Sequence, residues 1–412
     1  MRIAVFGSPR TPAGHPRILP GARRAAVAAL AVGSLLLSAG CSSDDDSENA
    51  RVRPTGAPAT ASSSPSSSSS SSSPPSAKGS VKVVSTLTEG LASPWGLAEL
   101  PGGDLLVSSR DRRTITRIDG STGKQTPLGT VPGVSPAGEG GLLGIAVSPA
   151  FDTDHLLYAY FTTASDNRIA RMRYDGTGRD PGRQLGAPHT ILRGIPKGYI
   201  HNGGRIAFGP DGMLYAGTGE TGQTRELSQD KKSLAGKILR MTPDGRPAPG
   251  NPVPGSLMYS YGHRNVQGLA WDGQKRLWAS EFGQDTWDEL NQIVPGGNYG
   301  WPKYEGKVGK AGFVDPVAQW RPSEASPSGI AFARGSIWMA GLRGERLWRI
   351  PLSGSPGREP LAAPQSFLRG KYGRLRTVLA AGGDRLWLVT SNTDTRGTPK
   401  PGDDRVLVLQ VR

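Results

Sequence analysis

The chain has 412 residues, with 49 Lys and Arg against 34 Asp and Glu, a formal charge of +15, and one cysteine. A single cysteine excludes any intrachain disulfide. The basic balance would suit nucleic acid, but no RNA- or DNA-binding motif is present and the first forty residues read as an export signal; acidic wall polymers or an anionic membrane fit better as neighbours.

Residues 1–40 carry five arginines (Arg2, Arg10, Arg17, Arg23, Arg24), no acid, and an apolar run over residues 25–39 that is too short to favour a spanning helix. This pattern predicts an export signal. Leu37-Ser38-Ala39-Gly40 supplies the small residues that lipoprotein processing requires ahead of an acceptor cysteine, so Cys41 is expected to be lipidated and to anchor the protein to the outer face of the cell membrane. Plain cleavage and secretion is the other outcome, and the flanks of Arg23-Arg24 do not choose between export routes. Residues 41–80 are serine, proline and acid, with almost nothing to bury. They read as a tether reaching roughly 35 Å on average. Of the formal +15, residues 1–40 carry +5 and residues 41–80 carry −1, which leaves +11 on residues 81–412.

Those remaining residues contain a sixfold repeat. Each unit begins with a mostly Gly-containing apolar opening: Trp95-Gly96-Leu97-Ala98, Leu143-Gly144-Ile145-Ala146, Gly204-Arg205-Ile206-Ala207, Gln267-Gly268-Leu269-Ala270, Ser328-Gly329-Ile330-Ala331 and Arg376-Thr377-Val378-Leu379. After a turn such as Pro210-Asp211-Gly212 or Asp272-Gly273 comes a second strand, beginning Leu105, Leu156, Leu214, Leu277, Ile337 or Leu386. Helical periodicity is nearly absent. Units of about 55 residues match a four-stranded propeller blade. The expected fold is all-β, a six-bladed β-propeller with four-stranded antiparallel blades, closed by pairing residues 81–87 with residues 405–411.

A propeller fixes no function, so the chemistry must come from loops at one mouth of the channel. Gly138-Glu139-Gly140-Gly141 allows close backbone approach to a flat ligand, or is simply a turn. Tyr199-Ile200-His201-Asn202-Gly203-Gly204 sets an imidazole among glycines, where a side chain titrating near neutrality suits a general base; Glu220, ending the paired strand, would hold one tautomer. The basic stretch DKKSLAGKILRMT (230–242) reads as blade strand with solvated lysines. Gly262-His263-Arg264-Asn265 places a cation and an amide before a strand. Glu281, Asp285, Asp288 and Glu289 crowd around Gly283, either as a solvated acidic loop or beside a hard cation such as calcium. Arg343, Arg374 and Arg376 bring cations to the last two repeats; the latter two, spaced by two, share a face if extended.

GHRNVQGLAW, EFGQDTWDELN and GGNYGWP follow in order between residues 262 and 302, and with the motifs around them they resemble the glucose/sorbosone dehydrogenase family. Its soluble quinoprotein aldose dehydrogenases use pyrroloquinoline quinone (PQQ) and calcium. The likeness runs from about residue 91 to about residue 390, and the short stretch 303–326 points to the compact aldose dehydrogenase subgroup. It implies hydride transfer from the anomeric carbon of an aldose to PQQ, giving a lactone, with electrons passing to an unidentified acceptor. His201 takes the hydroxyl proton with Glu220 as its acidic partner. Arg264 and Asn265 hold the quinone end, Glu139 and Phe282 occupy cofactor-contacting positions, and Arg343, Arg374 and Arg376 meet the PQQ carboxylates. Calcium falls to backbone oxygens of Gly283 and Gln284, a second calcium to the Glu289 carboxylate and the Tyr299 main chain.

The sequence departs from the family pattern at four places. Phe282 replaces a polar residue and Gln284 a proline; Glu139 replaces a glutamine, which brings a negative charge towards PQQ; Arg343 replaces lysine and keeps the charge. Two other readings stay open: a propeller that binds carbohydrate or calcium without redox turnover, and a metal-dependent lactonase of the six-bladed class.

Overall fold

A computed structural model describes residues 76–176, 184–353 and 360–412. The expectations placed on residues 1–40, on Cys41 and on most of the tether lie outside the described residues. The propeller's strands run from Val81 to Val411.

The six sheets are each four-stranded and antiparallel. The first blade is built from Pro94–Glu99, Leu105–Ser109, Thr114–Ile118 and Gln125–Thr130, and the second from Leu142–Val147, Leu156–Thr162, Asn167–Arg173 and His189–Ile195. The third uses Ile206–Phe208, Leu214–Gly217, Lys237–Met241 and Met258–Tyr261; the fourth Val266–Trp271, Leu277–Glu281, Asp288–Ile293 and Ala318–Trp320. Pro327–Ala333, Ser336–Gly341, Arg346–Pro351 and Gln365–Phe367 form the fifth. The sixth joins Leu375–Ala380, Arg385–Thr390 and Val406–Val411 to the N-terminal strand Val81–Thr88, in register from Val81 opposite Val411. That pairing closes the ring as the sequence predicts, and it gives one edge of each terminal strand a partner. The closure extends upstream: the buried Arg349 guanidinium donates to the carbonyls of Ser76 at 2.6 Å and Ala77 at 3.3 Å.

The repeated glycine has a steric cause. Innermost strands of successive blades touch around the channel, the sixth against the first. A Cβ on Gly96 would lie 2.8 Å from the carbonyl of Leu143 in the next blade, and one on Gly268 would strike Ser328 and Ser280. Glycine therefore marks where neighbouring backbones come too close for a side chain.

The repeated aromatic and turn aspartate have a joint cause as well. Second-strand rings such as Trp278 and Trp338 are fully buried between blades, and truncating one to alanine costs on the order of 4 kcal/mol. The Trp278 indole N–H must keep a partner when buried, and it donates to Asp272 Oδ2 at 2.9 Å in the preceding turn. Tyr215 likewise donates to Asp211 at 3.0 Å. Helix is confined among the described residues to Phe151–Asp154 and a 3-10 turn at Arg225–Ser228.

One expectation fails. Lys237 is not a solvated strand lysine: it is 0% exposed, and its Nζ donates to the carbonyls of Leu227, Ser228 and Ala235 at 2.8, 3.0 and 2.7 Å. Burial pushes its pKa down to about 7, while three carbonyls give each N–H of the charged form an acceptor. The lysine ties the loop after the third blade's second strand, which carries Glu220, back to the sheet.

Candidate active site

Loops that precede innermost strands and loops that follow second strands converge on one mouth of the channel, where they line a cavity of about 580 Å³. His201, Glu139, Arg264, Phe282, Gly283, Gln284, Arg343, Arg374 and Arg376 all reach it, as the sequence predicts. Arg110, Trp95, Asp394 and Arg396 also line it, and sequence reasoning missed them as site residues.

His201 sits at φ 55°, in the left-handed region. Surroundings must over-determine such a residue. Its N–H donates to Glu139 Oε2 at 3.0 Å and its carbonyl accepts from Thr221 at 3.2 Å. Its backbone also lies so close to Gly219 that a Cβ there would collide with the His201 carbonyl. The imidazole is 8% exposed, and its Nδ1 stands 2.6 Å from Oε1 of Glu220, which is 0% exposed. A carboxylate only accepts, so Nδ1 carries the proton and Nε2 presents its lone pair. Glu220 is fixed in turn by the N–H of Gly222 at 3.2 Å on its other oxygen, and its own N–H donates to the Arg264 carbonyl at 2.9 Å.

His263 offers an instructive contrast. It is also paired with a carboxylate, Glu281, at 2.7 Å, but its Nε2 is spent on Ser260 at 2.8 Å, its ring stacks on Tyr299, and it is 0% exposed. The same pair of side chains is structural there, because neither ring nitrogen can meet a substrate.

The cations are arranged around carboxylates. Arg374 grips Asp394 at 2.8 Å and Arg376 approaches the same oxygen at 3.3 Å, so the two arginines do share a face and an anchor. Burial pushes Arg376 down to about 10 and Arg205, deeper in the channel, down to about 9; both stay charged at neutral pH. Burial also lowers Arg264, opposed by Glu220 and Glu281; its guanidinium lies 5.4 Å from the Trp301 ring centre and donates to the Phe282 carbonyl at 3.3 Å. Burial would raise Asp394, but Arg376 and Arg374 outweigh it and hold the carboxyl below its ordinary range. Glu139 does not stand bare against the cavity: Arg396 meets its Oε1 at 2.8 Å while Oε2 holds His201. Arg343 is exposed at the rim.

Asn265 stands behind the wall rather than on it. It is 1% exposed, its Oδ1 accepts the Gly203 N–H at 2.9 Å, and its Nδ2 has no partner.

The acidic run divides by strand alternation. Asp288 caps the N–H groups of Gly283 at 3.0 Å and Ser326 at 2.7 Å, and burial pushes it up to about 6. Asp285 is exposed. Glu281 and Glu289 are cross-strand partners on the other face. They line a small cavity beside the main one together with Tyr299, Trp301, Tyr304 and Glu305, and burial together with Glu281 drives the Glu289 carboxyl well above its ordinary range. The four metal-binding expectations thus fall in two places: Gly283 and Gln284 on the main cavity, Glu289 and Tyr299 on the small one, with Gly283 touching both. Among the described residues no three His, Cys, Asp or Glu side chains are placed to hold a metal ion.

A six-bladed propeller with a buried His–Glu pair facing an arginine-lined cavity defines a protein that handles a polar, anionic ligand at its channel mouth. The glucose/sorbosone dehydrogenase family model matches residues 91–398, and the chain belongs to that family. The solved PQQ-bound aldose sugar dehydrogenase of Streptomyces coelicolor is 72% identical, with a TM-score of 0.80 over 82% of this chain and 100% of that one. The aldose sugar dehydrogenase YliI of Escherichia coli is 32% identical over 60% of this chain and 72% of its own. Quinoprotein glucose dehydrogenase B of Acinetobacter calcoaceticus is 30% identical over 56% of this chain and 54% of its own.

Proposed function

We propose that the chain is a PQQ- and calcium-dependent dehydrogenase that oxidises aldoses to lactones, with His201 as the general base. The observation that carries this reading is the 2.6 Å contact between His201 and Glu220 on a cavity with six arginines, Arg110, Arg264, Arg343, Arg374, Arg376 and Arg396, against three acids, Glu139, Asp288 and Asp394. The residues suit PQQ, which carries three carboxylates: Nε of Arg264 and Nε of Arg376 are buried without a hydrogen-bond partner, and an anion supplies acceptors to such groups. Two of the departures from the family pattern, the lost polar group at Phe282 and the added charge at Glu139, are compatible with this account. Phe282 contributes an apolar wall to a flat ligand, and Glu139 is neutralised by Arg396.

When bound, PQQ supplies the two-electron acceptor for the hydride leaving the anomeric carbon. Glu220 holds His201 with Nε2 towards the cavity, and Nε2 takes the proton of the anomeric hydroxyl, so that the sugar leaves as a lactone. Arg374 and Arg376, braced by Asp394, would hold carboxylates of the cofactor, and Arg264 would meet it from the same cavity. The Gly283 and Gln284 N–H groups are tied back to Asp288 and Glu305, at 3.0 and 2.7 Å, and their carbonyl oxygens are the hard donors this loop offers calcium. A second calcium beside Glu289 and Tyr299 would offset the adjacent Glu281 and Glu289 carboxylates.

Export and anchoring are part of the same proposal, on sequence grounds: residues 1–40 as signal, Cys41 as lipid acceptor, residues 41–80 as tether and residues 81–412 as catalytic domain. Cys41→Ser should move the protein from the membrane fraction to the medium; unchanged retention contradicts the anchor. The enzymatic reading is tested by loading the purified protein with PQQ and calcium and screening aldoses with an artificial electron acceptor. Dye reduction that requires PQQ is the expected result. Sugar binding with no PQQ-dependent reduction would leave a non-redox propeller.

A further inference from the structure

Beside the main cavity lies a second hollow of about 280 Å³, near the lower end for ligand pockets, lined by Arg110, Asp111, Gly138, Glu139, Tyr199 and Arg396. Arg110, Glu139 and Arg396 line both, so the two share a wall formed largely by the Glu139–Arg396 ion pair. Tyr199 stands two residues before His201. It is 71% exposed and is the only aromatic among the large hydrophobic side chains exposed in the described residues.

That exposure is built. Gly138, at φ 58°, lies against the base of the Tyr199 ring: a Cβ there would come 2.9 Å from Cγ and Cδ2 of the tyrosine. Glu139 donates its N–H to the Tyr199 carbonyl at 2.8 Å, which locks the two loops together. The base of the ring is thus held against backbone while most of the side chain stands open to solvent. Around it stand groups with spare hydrogen-bonding capacity: Asp111, held by Arg110 at 2.7 Å and by Ser93 at 2.6 Å, and the half-exposed Arg396. An aromatic face carries partial negative charge and attracts the C–H face of a pyranose, while rim charges meet its hydroxyls.

We propose that this hollow is a second glycosyl subsite: the non-reducing ring of a disaccharide or longer oligosaccharide stacks on Tyr199 while its reducing-end aldose sits beside His201. This rests on the aldose-oxidising reading for the inner ring alone. The side chain contributes binding to the outer ring and nothing to the chemistry, so its effect falls on KM for extended substrates.

The test compares wild type, Tyr199→Ala and Tyr199→Phe, each as the full chain loaded with PQQ and calcium, on glucose and on maltose and cellobiose. A lost stacking contact of the usual size lowers kcat/KM for the disaccharides about tenfold in Tyr199→Ala, through KM, with glucose within roughly twofold and Tyr199→Phe close to wild type. Equal losses on glucose and disaccharides, or no loss on either, overturn the subsite. Saturation-transfer NMR with methyl β-maltoside, whose blocked anomeric carbon cannot be oxidised, reads the subsite without turnover. Transfer to the outer ring that disappears in Tyr199→Ala supports the proposal; transfer that is absent in wild type or unchanged in the variant overturns it. Should no sugar be oxidised by any of the three proteins, the catalytic reading fails, and the NMR result still decides the subsite.

Discussion

His201 Nδ1 and Glu220 Oε1 lie 2.6 Å apart, with the carboxylate wholly out of water and the imidazole edge on the cavity. The two residues belong to the loops on either side of the third blade's first two strands, so the sheet itself sets their separation. Glu220→Gln keeps the shape but offers a donor as well as an acceptor, and no longer enforces one tautomer. We expect kcat to fall by about tenfold or more, with PQQ affinity, read by titration, within roughly twofold. A kcat equal to wild type would mean that the carboxylate does not orient the ring.

Asp394 is the shared anchor of Arg374 and Arg376. Its carboxyl is held below the ordinary range in the fold, so its contribution is present above its unfolded value, near pH 4, and is lost as pH falls through the lower folded value. Asp394→Asn should destabilise the protein at pH 7 by about 3 kcal/mol, because two buried cations lose their partner. The difference between variant and wild type should shrink as pH falls from about 5 to about 2. Thermal unfolding across that range checks both parts; a gap that widens in acid contradicts the assignment.

How much of this could be read beforehand differs between fold and site. The blades were legible because steric needs recur: a glycine where inner strands touch, an aromatic between blades, a turn aspartate for the ring's polar atom. His201 and Arg264 were legible because each stands in a distinctive local string. Arg110 and Arg396 were not, because each makes a contact with a residue distant in sequence: Arg110 reaches the Asp394 carbonyl across 284 residues and Arg396 reaches Glu139 across 257. Such contacts exist only after the ring closes. Aligning the repeats would have found Arg110, which directly follows a second strand, as Phe282 does.

Lys237 was misread for a related reason. Alternation assigns a lysine at a strand's start to solvent, whereas here a loop of the same blade folds over it. Lys237→Met removes the donor to three buried carbonyls and should lower stability by about 3 kcal/mol, measured by urea unfolding. A change under about 0.5 kcal/mol, as for an ordinary surface substitution, would show that the lysine is dispensable.

The most direct test of the account is His201→Ala, measured twice on one preparation. Arg264, Arg374 and Arg376 remain to meet the cofactor's charges, so PQQ titration should give an affinity close to wild type. Turnover loses its base, so dye-linked sugar oxidation should fall by at least about 100-fold. Oxidation within about tenfold of wild type, a smaller loss than a positioned base accounts for, would contradict the assignment of His201 and with it the proposed chemistry of the cavity.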